Sequence, residues 1–181
     1  MAIVFVCSTH GFIDDFKEQK KLIEKFQPEV ILSEELEDYS LETEEEFKQF
    51  ITKRNVSNMT KFSEVESLVL FCQKMKIPII GIDFRNFGFD ENLQKKILHQ
   101  DELSEAEEKQ LANIQTKREL HHLEKIQEYS NPLIILGSWH LRTDSVLRKE
   151  LSNYIIYGPL DEKQELIFEP SSFYSFGKLQ E

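Results

Sequence analysis

The chain has 181 residues, 40% hydrophobic and 30% charged, a balance that excludes a disordered chain and fits one domain with its own core. Its 22 basic residues against 33 acidic ones leave a net charge of −11; no basic patch interrupts this acidity, so nucleic acid is not an expected partner. No stretch approaches the roughly 20 apolar residues that span a bilayer, so no membrane association is expected.

The first apolar run, residues 2–7 (AIVFVC), has no basic segment before it and reads as a strand rather than a signal peptide. A helix is expected from about Ile13 to Phe26, then a second strand at 29–33 (EVILS), introduced by Pro28. From Glu34 to Glu46 the chain is densely acidic without a Lys or Arg, as suits a solvated loop and helix start, or an attraction for cationic ligands. Residues 60–76 carry Phe62, Val65, Leu68, Val69 and Cys72 near one helical face. The third strand is 77–83 (IPIIGID), a long charged helix occupies 101–129, and the fourth strand is 133–137 (LIILG). A shorter helix follows at 144–153; then 154–157 and 165–168, flanking Gly158-Pro159, read as two edge strands joined by a loop. Unbroken Val/Ile/Leu runs indicate strands buried on both faces. The expected fold is a single α/β domain over 1–181, with a mostly parallel central sheet, helices on both faces and antiparallel C-terminal edge strands. The two cysteines, Cys7 and Cys72, stand inside apolar stretches. They read as small buried hydrophobes in a reducing, cytoplasmic setting.

Open parallel sheets bind ligands outside the carboxyl ends of their strands. Those ends deliver Ser8-Thr9-His10-Gly11, then Glu34 and Glu35, then Asp83 with Arg85, and finally Gly137-Ser138-Trp139-His140. Four polar endings on one edge point to a site there. The alternation Val30, Leu32, Glu34 favours Glu34 over Glu35 as the functional carboxylate, although a bulge would exchange them. Asp83 and Arg85 are expected to pair with each other and shape their loop, with a role at the substrate as the alternative. Ser8, Thr9 and Ser138 are not in a G-x-S-x-G elbow and fit hydrogen bonding or capping. His99, His121 and His122 lie on charged helical stretches and are expected to be solvated, while Trp139 is either core or a wall against which a ligand stacks.

This pattern resembles the TraB/Tiki superfamily, also described as erythromycin-esterase/ChaN-like, whose motif is a pair of G-x-x-H turns. Gly137-Ser138-Trp139-His140 matches the second turn in full, and Cys7-Ser8-Thr9-His10 matches the first with Cys in place of Gly. The strand Pro28–Glu34 is similar to the family's strand ending in a functional Glu; Arg118-Glu119 resembles its Arg-Asp or Arg-Asn pair, and Asp83-Phe84-Arg85 its Asp-Arg element. The resemblance covers roughly residues 3–151, and it departs at His121-His122, where the family tends to have an aromatic residue and Met.

The resemblance implies a hydrolase of an ester or amide bond in a small molecule or peptide, with His10, Glu34, Arg118 and His140 as catalytic residues and Glu35, Asp83, Arg85 and Trp139 near the substrate. Imidazole can act as a base near pH 7 or bind a divalent metal. His10, Glu34 and His140 would thus be the ligands of a manganese, cobalt or zinc ion. Either a metal-bound water attacks the acyl carbon, or His10 deprotonates a free water. Arg118 would stabilise the oxyanion or clamp a substrate carboxylate. The competing hypotheses are a non-catalytic module binding a metal, haem or anion, and a regulatory protein that kept only the fold.

Overall fold

Branched aliphatic runs need cover on both faces, and in the computed structural model of the chain they have it. The structure describes residues 3–8, 13–55, 64–99, 101–168 and 175–180. These form one sheet of seven strands, β1 (Ile3–Ser8), β2 (Val30–Ser33), β3 (Ser40–Leu41), β4 (Ile79–Gly81), β5 (Pro132–Gly137), β6 (Tyr154–Leu160) and β7 (Ser175–Lys178). The spatial order is β3-β4-β2-β5-β1-β6-β7. The five inner strands are mutually parallel, and β3 and β7 close the two edges antiparallel.

Alternate side chains of the inner strands enter opposite cores. Val4, Val6, Ile31, Leu133 and Ile135 pack with Leu22 and Ile23 of α1 (Ile13–Phe26), Phe47 and Phe50 of α2 (Glu44–Asn55), and Leu68, Val69 and Cys72 of α3 (Glu64–Met75). Phe5, Cys7, Leu32, Ile134 and Leu136 face Ile126 of α5 (Glu105–Gln127) and Leu147 of α6 (Val146–Glu150). A further helix, α4 (Glu91–His99), precedes α5.

The connections fix where the sheet opens. Strands β1 and β5 are neighbours, with Ser8 opposite Gly137. The chain leaves β1 through α1 toward β2 and leaves β5 through α6 toward β6, in opposite directions. With one hand of crossover, opposite directions put the two helices on opposite faces, as the separate cores of α1 and α6 show. The carboxyl ends of β1 and β5 are therefore the point of reversal, where parallel sheets leave a crevice.

Several expected boundaries move. The long helix begins only at Glu105, because Ser104 caps it: its hydroxyl accepts from the Glu107 N–H while the Glu107 carboxylate accepts from the Ser104 N–H. The short helix shrinks to Val146–Glu150. The expected strand at 165–168 is not formed. The Asp161 carboxylate accepts from the N–H groups of Lys163 and Glu165 and turns the chain, leaving Leu166 a single bridge to Leu160. Ser175–Lys178 instead pairs with β6, and β6 is an inner strand beside β1 rather than an edge. Beyond the expected elements the chain forms β3, α2 and α4; in α2, Phe47, Phe50 and Ile51 recur at helical spacing and face the core.

Candidate proton-transfer site

Six buried ionisable side chains meet at the carboxyl edge: Glu34, Asp83, Arg118, Glu119, His122 and His140. Glu34 opens the 3-10 turn after β2 and reaches sideways to β5, where its Oε2 accepts from the Gly137 N–H at 2.7 Å. Its Oε1 accepts from Arg118 Nη2 at 2.7 Å and stands 3.4 Å from His140 Nε2. Asp83, just beyond β4, takes the Arg118 fork through Nε at 2.9 Å and Nη2 at 2.5 Å. Arg118 Nη1 donates to Gln115 Oε1 at 3.1 Å, and the ring of Phe87 lies 5.2 Å from the guanidinium.

The second half of the site grows from the same helix. Glu119 Oε1 lies 3.5 Å from His140 Nδ1 and accepts a short bond from Arg142, while its Oε2 accepts from the Val146 N–H that begins α6. His122 stands one turn beyond Arg118, with Nε2 3.4 Å from Asp83 Oδ2 and its ring edge-on to His140 at 4.9 Å. Among the described residues, His140 Nδ1 and both ring nitrogens of His122 have no aligned hydrogen-bond partner. Buried nitrogens left in that state are uncommon enough to need a reason.

These environments push the two imidazoles apart. Burial works against the charged form of His140, but the carboxylates of Glu34 and Glu119 outweigh it and its pKa is raised. Burial dominates at His122 and its pKa is lowered, with Asp83 opposing and His140 adding to the effect. Burial raises Glu119, yet His140, the Val146 N–H and Arg142 together bring it down to about 2. Asp83 is likewise held low despite burial, by His122 and Arg118. The guanidiniums of Arg118 and Arg142 pair with Glu34, Asp83 and Glu119, and the carboxylates beside His140 favour its charged form.

The expected residues divide clearly. Glu34, Asp83, Arg118 and His140 converge, and Glu34 rather than Glu35 is the carboxylate that holds Arg118. Glu35 is half-buried at the next position of the turn. His10 lies outside the described residues. Asp83 does not pair with Arg85: it pairs with Arg118, while Arg85 is exposed and faces Asp38 at 3.7 Å. Trp139 is half exposed at the rim, not core. His122 is fully buried rather than solvated; Glu119, noted in sequence only as the partner of Arg118 in the family pair, and Arg142, not noted at all, are also part of the site. One signal was available: Arg118, His122 and Ile126 recur every four residues and share one helix face.

Among the described residues, no group of three or more His, Cys, Asp or Glu is arranged to hold a metal. With Arg118 on Glu34 Oε1 and the Gly137 N–H on Oε2, a divalent ion at this carboxylate would adjoin a guanidinium. Of the expected metal ligands, Glu34 and His140 stand together here, while His10 lies outside the described residues. The chain matches no family model, no curated protein and no solved structure. The chemistry of the site therefore rests on its own residues.

The rim adds strain. Asn86 and Phe87, in the turn after β4, both hold left-handed backbone angles, with φ of 54° and 53°. Such a conformation costs a bulky residue about 1–3 kcal/mol. It is maintained where Phe87 is laid on Arg118.

Proposed function

We propose that the chain is a hydrolase of an ester or amide bond in a small molecule or peptide, with His140 as its proton carrier. The observation that carries this is His140 itself, buried at the sheet reversal with Nδ1 facing Glu119 and Nε2 beside Glu34. Glu119, 3.5 Å from Nδ1, and Glu34, 3.4 Å from Nε2, stabilise the imidazolium that forms when the ring takes up a proton. His140 Nε2 takes a proton from the attacking water and returns it to the departing alcohol or amine. Arg118 spends its donors on Asp83, Glu34 and Gln115, so it is a positioning residue that holds Glu34 in place. The convergence of Glu34, Arg118 and His140 supports the TraB/Tiki resemblance as a proposal of kinship.

Both cysteines are free and buried, with thiols pushed up to about 12 chiefly by burial. They are inert at neutral pH, which supports a reducing, cytoplasmic setting. No described helix is long and apolar enough to cross a membrane. The proposed partner is a small-molecule or peptide substrate.

The test is a screen of the purified chain against nitrophenyl esters and short peptide amides, with and without manganese or cobalt, alongside metal analysis. Turnover that survives chelation and falls at least about a hundredfold in His140→Asn supports the proposal. No turnover of any ester or amide would reject it. The pairing of Arg118 would then favour a non-catalytic binding module.

A further inference from the structure

Aromatic side chains stand beside the proton-transfer residues: Phe84 next to Asp83, Phe87 on Arg118, and Trp139 next to His140, with Phe168 against Trp139. Phe84 follows Asp83 directly, stacks on His121 at 4.5 Å and 19°, and remains exposed. Phe87 lies on the guanidinium of Arg118. Trp139 precedes His140, is 50% exposed, and has the Arg142 guanidinium 5.0 Å from its ring centre. Phe168 meets Trp139 edge-on at 6.1 Å and 84° and is 46% exposed. Leaving three large rings in water costs burial that a folded chain normally takes. The left-handed backbone at Phe87 shows that the chain also accepts strain where it lays that ring on Arg118.

We infer that Phe84, Phe87, Trp139 and Phe168 form a subsite for an aromatic ring of the substrate, beside the bond that His140 acts on. The inference rests on the hydrolase proposal and names its substrate class: an aryl-bearing ester or amide. Two of the contacts, Trp139–Phe168 and Phe84–His121, already adopt the edge-on and stacked geometries that rings prefer. An incoming ring gains from the same geometries, whereas an aliphatic chain gains only area. The guanidiniums behind Trp139 and Phe87 keep those rings in place by cation–π attraction.

Trp139 is the only tryptophan of the chain, so its emission reports on the rim alone. The full-length protein is titrated with phenylacetamide, cyclohexylacetamide and acetamide, following emission together with saturation-transfer NMR of each probe, so that binding silent in fluorescence is also seen. The expected result is saturable binding of phenylacetamide, about two- to tenfold tighter than the cyclohexyl probe, and none of acetamide. Phe168→Leu and Phe84→Leu, checked by circular dichroism, should remove most of that preference. Equal binding of the phenyl and cyclohexyl probes, no binding of either, or a preference untouched by both variants would overturn the inference. Selective ring binding without turnover of any ester or amide leaves the subsite standing and rejects the hydrolase; turnover without aromatic preference does the reverse.

Discussion

His140 and His122 touch, yet their protonation works in opposite directions. A raised pKa means that the folded state favours the charged His140. Its contribution to stability is complete below the ordinary imidazole value of about 6.5 and is lost as pH rises through the folded value. His122, with its lowered pKa, contributes above that ordinary value and loses its contribution as pH falls. Melting curves between about pH 5 and pH 9 should therefore lose their alkaline decline in His140→Gln and part of their acid decline in His122→Gln. Glu119 adds a separate acid limb. Its folded pKa of about 2 lies below the unfolded value of about 4.3, so its contribution is present above the latter and lost between the two. Acid unfolding of Glu119→Gln should be flatter across that window. Arg118→Ala strands Glu34 and Asp83 in the interior and should cost about 3–5 kcal/mol in urea unfolding. Arg118→Lys should recover only part of this, because an ammonium cannot reproduce the fork on Asp83 while holding Glu34.

At the scale of elements, β5 carries the most weight, lying between β2 and β1 with both faces covered. Ile134 is fully buried against Phe5, Leu32 and Ile156 in the α5–α6 core. Ile134→Ala should cost about 2–5 kcal/mol, measured as a shift of the urea midpoint without a change in slope. Gly81 ends β4 where the backbone of the β2–β3 connection crosses it. An added Cβ would lie 2.2 Å from the Glu37 carbonyl oxygen and 2.8 Å from that of Tyr39. Backbone cannot yield as a flexible side chain can, so Gly81→Ala should destabilise by about 1–3 kcal/mol and displace Glu37 and the turn it shares with Asn86. The inner parallel strands were legible in sequence because burial on both faces leaves unbroken apolar runs, whereas the edge strands β3 and β7 were not. Helix α5 was legible in extent but not in role: its buried stripe is Arg118, Glu119, His122 and Ile126, three polar residues to one apolar, and hydrophobic periodicity registers only the last.

For the whole molecule, the sheet reversal between β1 and β5 decides where chemistry can happen. The segment after β1 carries His10, outside the described residues. If His10 and His140 act as one unit, each His→Ala variant should lose most ester or amide turnover, and the double variant should lose little more. Multiplying losses in the double variant would show that the two act separately. Lowered melting temperature with unchanged turnover would make His10 structural.

The sequence by itself determined the α/β class, the main parallel strands, and the edge on which Glu34, Asp83 and His140 would gather, because each follows from local runs and from the rule for strand ends. Tertiary structure decided the partners. Asp83 takes Arg118 from 35 positions away instead of its near neighbour Arg85, Arg118 reaches Glu34 across 84, and Glu34 reaches Gly137 across 103. A charge leaves water only where opposite charges and aligned N–H groups replace its hydration, and those replacements are assembled by the packing of distant elements. For the same reason His122, on a stretch that reads as solvated, is wholly enclosed, while Arg85 beside the site remains in water.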